Sequence, residues 1–211
     1  MNRGKPLDFL DAMRIFLALV HFPVVDRQGK VLATAITNVD LHDLGRSGRT
    51  YGAESVFVVT PIVLQQRMVQ EVYDHWTKGA GSSHVRRAAA VSLVEPVASL
   101  QDAAQAIATR TGRAPTIAVT GAQMAEPNID FATLRAQILA DDGQDLQPPL
   151  LLVFGTGWGL AAEAIALADL RLPPIHRHGN LKAFAPGYNH LSVRAAAAIA
   201  LDRLCGDGNA T

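Results

Sequence analysis

The sequence predicts an α/β fold with a mostly parallel sheet flanked by helices. Three observations predict it. Short apolar runs alternate with segments of helical hydrophobic period along the whole chain, the pattern of βα units. Several predicted helices carry their own start and stop residues, such as the Ser99 and Asp102 capping box that opens one and the Gly112 that closes it. The 211 residues are 49 % apolar and 18 % charged, enough apolar surface for one buried core.

Residues 15–21 read as the first strand. Asp26, Arg27, Gln28 and Gly29 form a turn before a short extended piece over 31–37. A helix is predicted over 41–51, stopped by Gly52. Residues 55–59, mostly β-branched and aromatic, form a buried strand. Thr60 is expected to cap the next helix and Pro61 to open it; its apolar face is Ile62, Val69, Val72, Tyr73 and Trp76, and it ends at Gly79. A small, polar loop over 79–84 precedes a strand over 88–94. The helix capped by Ser99 carries Leu100, Ala103 and Ile107. A strand over 116–119 follows, then a helix capped by Asp130 with Phe131, Leu134 and Ile138 inward. After a polar loop over 141–149, residues 150–154 are the most apolar strand and belong at the sheet centre. A helix over 160–168, a short strand over 170–175 and a long loop over 176–189 lead to the last helix, 191–204. Between 195 and 201 that helix is apolar on every side, which predicts burial. With no internal repeat and no linker, residues 1–211 read as a single domain.

The composition removes several classes. Nineteen basic and nineteen acidic side chains balance, so any nucleic-acid contact must come from a local patch. The one cysteine, Cys205, excludes a disulfide framework and suits a reducing compartment. Charged residues interrupt the N-terminal segment, so no signal peptide is expected. The apolar run over 15–25 is too short for a bilayer and contains His21 and Pro23. The expectation is a cytoplasmic protein.

In an open α/β sheet, ligands bind beyond the carboxyl ends of the strands. Three segments of unusual composition fall there. One is Thr120, Gly121, Ala122 and Gln123. The second is Phe154, Gly155, Thr156, Gly157, Trp158, Gly159 and Leu160. The third ends in Gly187, Tyr188, Asn189, His190, Leu191, Ser192, Val193 and Arg194. The glycine spacing, G-x-G-x-G, is not the dinucleotide G-x-G-x-x-G, and no Gly-Lys-Ser/Thr follows for a phosphate loop. A tight turn without a ligand explains the glycines alone. A helix cap by Asn189 or Ser192 explains one polar residue of the third segment, not four. His176, His178 and His190 lack zinc-site spacing, so no metal is expected; the segment reads first as a solvated basic loop and, with Arg177 and Lys182, also as a phosphate-contacting patch. Trp158, between two glycines, either stacks on a ligand or fills the core, the core being commoner for Trp.

The N-terminal half adds Asp40, His42 and Asp43 ahead of a helix on which Arg46 and Arg49 share a face. An exposed, salt-bridged helix start explains the charges. Gly45 and Gly48 do not suit an ordinary surface helix and point to close approach by another backbone or a substrate.

Together these segments resemble the SPOUT superfamily of knotted S-adenosylmethionine (SAM)-dependent RNA methyltransferases, in its small bacterial branch. The resemblance runs from residue 17 to residue 204 and is most specific over 33–52, 154–160 and 188–204. It implies a C-terminal deep trefoil knot, a homodimer, SAM held in the knot, and an RNA substrate, tRNA or rRNA, methylated on a base nitrogen or ribose 2′-oxygen. By that resemblance Thr120, Gly121, Ala122, Phe154, Gly155, Thr156, Gly157, Gly159, Pro174 and Ile175 wrap the cofactor. Tyr188, Asn189, His190, Leu191 and Ser192 close the site. Arg46, six residues before Gly52, takes the catalytic-arginine position. The family's asparagine position holds Asp40, which with His42 or Asp43 is the expected proton acceptor. Arg49, Arg177, Lys182 and Arg194 are the expected RNA contacts, with Arg86 and Arg87 as further candidates. The glycine loop lacks the glutamate common in the ribose type, and His190, Leu191 and Ser192 replace its Ser-Leu-Asn, so the methylated atom stays open. Two alternatives remain: a non-catalytic SAM- or RNA-binding protein on this fold, and an ordinary nucleotide-binding Rossmann enzyme.

Overall fold

In a computed structural model, the structure describes residues 13–140, 147–179, 181 and 187–207. The elements in chain order are strands β1 (Ile15–Val20), β2 (Val24–Val25) and β3 (Val31–Leu32), helix α1 (Asn38–Thr50), strand β4 (Ser55–Val59), helices α2 (Val63–Thr77) and α3 (Val85–Val91), strand β5 (Val94–Val97), helix α4 (Leu100–Thr111), strand β6 (Thr116–Thr120), helix α5 (Phe131–Leu139), strand β7 (Leu150–Gly155), helix α6 (Ala162–Ile165), strand β8 (Leu170–Arg171) and helix α7 (Val193–Cys205). Six strands form one sheet in the order β5-β4-β1-β7-β6-β8, and every pairing in it is parallel. β2 and β3 form a separate antiparallel ribbon.

All six residues of β1 are buried, because helices cover both faces of the sheet. Leu17 and Leu19 face a layer that includes Leu41 and Leu44 of α1, Leu134 of α5 and Ala197 and Leu201 of α7. Phe16, Ala18 and Val20 face Leu100, Ala103 and Ile107 of α4 and Ala164 of α6. The chain runs outward from β1 through β4 to β5, crosses the sheet, and fills the other side with β6, β7 and β8. The order therefore reverses between β1 and β7, where Val20 lies opposite Gly155. Such a switch point leaves a crevice beyond the strand ends.

The helices that position the site are capped as their sequences dictate. Thr37 Oγ1 accepts from Asp40 N at the start of α1, and Ser192 Oγ accepts from Ala195 N at the start of α7. Gly45 and Gly48 are buried in α1. A Cβ on Gly45 would stand 2.6 Å from the Ala90 carbonyl oxygen, so the close approach expected there is by the backbone of α3. α7 lies against α1, α5 and β7.

Several expected elements differ. Residues 88–94 are the end of α3 followed by the start of β5; three consecutive alanines favour helix, and a short apolar run does not itself choose between helix and strand. The helix over 160–168 is a single turn, α6, and the strand over 170–175 is only β8, since Pro173 and Pro174 bring no ladder donors. α1 begins at Asn38, so Asp40, His42 and Asp43 lie in its first turns rather than before it. Ile62, not Thr60, occupies the N-cap of α2; Thr60 Oγ1 instead accepts from Ile62 N. Of the predicted apolar face of α2, only Val69 is fully buried. α7 buries Ala197, Ala200, Leu201 and Leu204 and leaves the rest of its surface partly open. The extended piece over 31–37 is regular only at β3. Among the described residues no helix is long and apolar enough to cross a membrane.

Candidate active site

A cleft of about 1040 Å³ opens beyond the carboxyl ends of β1, β6 and β7. That is at the upper end of the ~300–1,000 Å³ typical of small-molecule sites. Its wall comes from segments far apart in sequence: Thr120, Gly121 and Ala122 after β6, the loop from Phe154 to Leu160 after β7, Ile175, and Tyr188, Asn189, His190, Leu191 and Ser192 before α7. Fourteen of the fifteen residues expected around a cofactor thus line one cleft. Pro174 is the exception; its carbonyl accepts from His176 Nδ1 at 3.0 Å.

The glycine loop is shaped by its own neighbours. Val25 N donates to Gly159 O and Trp158 N to Val25 O, both at 3.0 Å, so the loop is laced to β2. A Cβ on Gly155 would stand 2.8 Å from Leu160 N. Gly157 has φ +60 and its Cβ would lie 3.2 Å from Val25 O. Trp158 is carried outward to the cleft, 49 % exposed, with Arg27 5.9 Å from its ring. It does not fill the core.

The floor is polar. Asp40 is buried and lines the cleft; its Oδ2 accepts from Thr37 Oγ1 at 2.5 Å and its Oδ1 from Arg194 Nη1 at 2.6 Å. Arg194 also reaches Asp43 at 3.4 Å. Arg194, expected on RNA, is therefore turned inward onto α1. His21, directly beyond β1, lines the cleft and is buried. Its Nδ1 meets Thr34 Oγ1 at 2.9 Å, while its Nε2 has no partner. Burial pushes His21 down to about 4, opposed by the charge of Asp40. In sequence His21 stands out only as the last residue of the first strand and a break in an apolar run. A polar residue ending a buried strand, on the side where ligands bind, was the available signal.

The remaining expected residues lie outside the cleft lining. Arg46 and Arg49 are exposed on α1. His42 packs edge-on against Trp76, ring centroids 5.3 Å apart, and is pushed down by burial and by the charge of Arg87. Arg87 itself sits 4.8 Å from the Trp76 ring, and Arg86 is exposed on α3. Arg177 folds back to donate to the His178 and Leu181 carbonyls. Lys182 lies outside the described residues. Cys205 is half-buried, its thiol pushed up to about 11 by burial, which makes it a poor nucleophile. Among the described residues no group of three or more His, Cys, Asp or Glu side chains is placed to hold a metal ion.

The chain is similar to known proteins over most of its length. A family profile described as SAM-dependent RNA methyltransferase matches residues 14–206. A protein of Nitratidesulfovibrio vulgaris named tRNA (guanine-N(1)-)-methyltransferase is 43 % identical over 208 residues, 98 % of this chain but 44 % of that protein. The chain thus spans less than half of that relative. A protein of Aquifex aeolicus is 34 % identical over 90 % of this chain and 87 % of its own length. The SpoU methyltransferase AviRb of Streptomyces viridochromogenes, solved with AdoMet, shares the fold: TM-score 0.51, 17 % identity, 92 % of this chain and 57 % of that one.

Proposed function

The chain belongs to the family of SAM-dependent RNA methyltransferases, and from that premise we propose that it binds SAM in the cleft at the β1–β7 switch point and methylates RNA. The observation that carries this reading is the single cleft into which three sequence-distant segments converge. Its walls suit the cofactor. Phe154, Leu160, Ile175 and the exposed Trp158 offer apolar and aromatic surface for an adenine, while Thr120, Thr156 and Asn189 offer polar groups for the ribose and the amino-acid tail. When bound, SAM supplies an electrophilic methyl group. The protein's part is to hold the RNA atom in line with it and to exclude water.

In this reading residues 1–211 are one SPOUT-type unit. The C-terminal segment threads through a loop to form a deep trefoil knot, and two copies form a homodimer. Arg46, exposed on α1, reaches into the partner's cleft to hold a phosphate or polarise the nucleophile. Arg49, Arg177 and Lys182 contact the RNA backbone, and Arg194 orders the floor through Asp40. Of the three expected proton acceptors Asp40 lines the cleft and sets the charge beside the reacting group, whereas His42 and Asp43 lie outside its lining. The substrate is tRNA or rRNA in the cytoplasm. The guanine-N1 reaction named for the N. vulgaris relative belongs to a chain more than twice the matched length, so the methylated atom is left to experiment.

The test is calorimetric titration with S-adenosylhomocysteine, using NAD and ATP as controls. Saturable binding of S-adenosylhomocysteine alone, lost in Gly155→Val, is expected. Preference for NAD or ATP would place the cleft among ordinary nucleotide-binding sites instead.

A further inference from the structure

We propose that Nε2 of His21 takes up the proton that leaves the RNA group as it is methylated, an assignment that rests on the methyltransferase reading above. Among the described residues two buried side-chain polar atoms have no partner, and one of them, His21 Nε2, belongs to a ring on the wall of the cleft. A buried, unpaired nitrogen costs roughly 1–3 kcal/mol, so its retention calls for a use.

The hydrogen-bond chain behind the ring determines which nitrogen is bare. Val20 O is a carbonyl and can only accept, so Thr156 Oγ1, 2.9 Å away, spends its proton there. The 2.5 Å contact between Thr34 Oγ1 and Thr156 Oγ1 then requires Thr34 to donate. Thr34 has no second proton, so its 2.9 Å contact with His21 requires Nδ1–H to donate. His21 is thereby held with the proton on Nδ1 and a lone pair on Nε2. The chain ends on a carbonyl, so it orients the ring and conducts no proton.

Asp40, the other acceptor expected here, has both carboxylate oxygens engaged, by Thr37 and by Arg194. Its charge favours a cation on His21. In the transfer, the RNA nitrogen or oxygen forms a bond to the methyl carbon with its own lone pair. The C–S bonding pair stays on sulfur. The N–H or O–H pair stays on the RNA atom, and the proton passes to Nε2, giving an imidazolium beside Asp40. A histidine held near pH 4 serves this purpose, because alkylation makes the attached proton strongly acidic. The imidazolium then loses its proton readily to water, which resets the ring.

The test has two arms on the full-length chain. The first is two-bond 1H–15N correlation of the imidazole rings at neutral pH, with and without S-adenosylhomocysteine. It is expected to show His21 protonated at Nδ1 and bare at Nε2, and mixed in Thr34→Val; a protonated Nε2 overturns this assignment alone. The second is single-turnover transfer from labelled SAM, at saturating cofactor, to unmodified tRNA and rRNA transcripts. His21→Ala and His21→Gln are both expected to lower the rate by about 10²-fold or more while still binding S-adenosylhomocysteine. Gln keeps an acceptor but cannot take the proton, so a Gln variant at the wild-type rate overturns proton uptake. Loss of cofactor binding in that variant overturns it too, making His21 part of the cofactor wall. A wild-type chain that binds S-adenosylhomocysteine and methylates neither RNA overturns the methyltransferase reading and this inference with it.

Discussion

Asp40 and Arg194 stand 154 residues apart in the chain and meet at 2.6 Å. The contact joins the first turn of α1 to the first turn of α7 across the floor of the cleft. It ties the C-terminal helix to the N-terminal half within the cleft lining. Removing the guanidinium leaves a buried carboxylate with only Thr37 as a partner. Arg194→Gln is expected to destabilise the chain by about 1–3 kcal/mol, less than a fully buried pair because a third of Arg194 is in water. Asp40→Asn in the same chain should restore part of the loss. Urea unfolding of both single variants and the double variant measures it, and additive losses would mean the pair is not coupled.

The buried His21 makes stability depend on pH. Its folded value, about 4, lies below the ordinary 6.5, so the unfolded chain binds more protons between the two. Stability contributed by the neutral ring is present above pH 6.5 and is lost as pH falls toward 4. The full effect is of order 3 kcal/mol. His21→Asn should flatten the dependence in that window relative to wild type, as read by unfolding midpoints at pH 7, 6, 5 and 4.

Gly45 separates packing from catalysis. A Cβ there meets the Ala90 carbonyl oxygen at 2.6 Å and the Ala90 carbonyl carbon at 3.1 Å, backbone that cannot swing aside. Gly45→Ala should push α1 and α3 apart and lower stability by about 1–3 kcal/mol. Thermal unfolding unchanged from wild type would show that α3 yields freely. Neither Gly45 nor Ala90 lines the cleft, so S-adenosylhomocysteine affinity should change far less than in Gly155→Val.

Trp158 is an optical reporter of the cleft. It is half in solvent and on the wall, whereas Trp76 is surrounded by His42, His75, His84 and Arg87 away from it. Intrinsic fluorescence should change when S-adenosylhomocysteine binds, and Trp158→Phe should abolish the change. A signal that survives in Trp158→Phe would assign it to Trp76 and a longer-range movement.

Much of the architecture was legible in the sequence because it is encoded locally. The continuous apolar runs of β1, β4 and β7, bounded by turn residues, read as strands covered on both faces. Ser99, Asp130 and Ser192 each cap the helix that follows, as their side-chain chemistry favours. The three segments of unusual composition expected at the ligand-binding side were recognisable, and all three line the cleft. Short apolar pieces were not legible: 88–94 and 160–168 carry no period long enough to select helix or strand.

What the tertiary structure alone decided is which polar groups are used up and which are left over. Arg194 reads as a free cation in sequence, yet it is engaged by Asp40 and Asp43 from the other half of the chain. His21 reads as an interruption, yet Thr34 and Thr156, 13 and 135 residues further on, fix its ring and leave one nitrogen bare. Local sequence determines which backbone each residue prefers, through sterics and capping. Whether a side chain has a partner depends on a sheet that sets β1 beside β7, and that is a property of the folded chain.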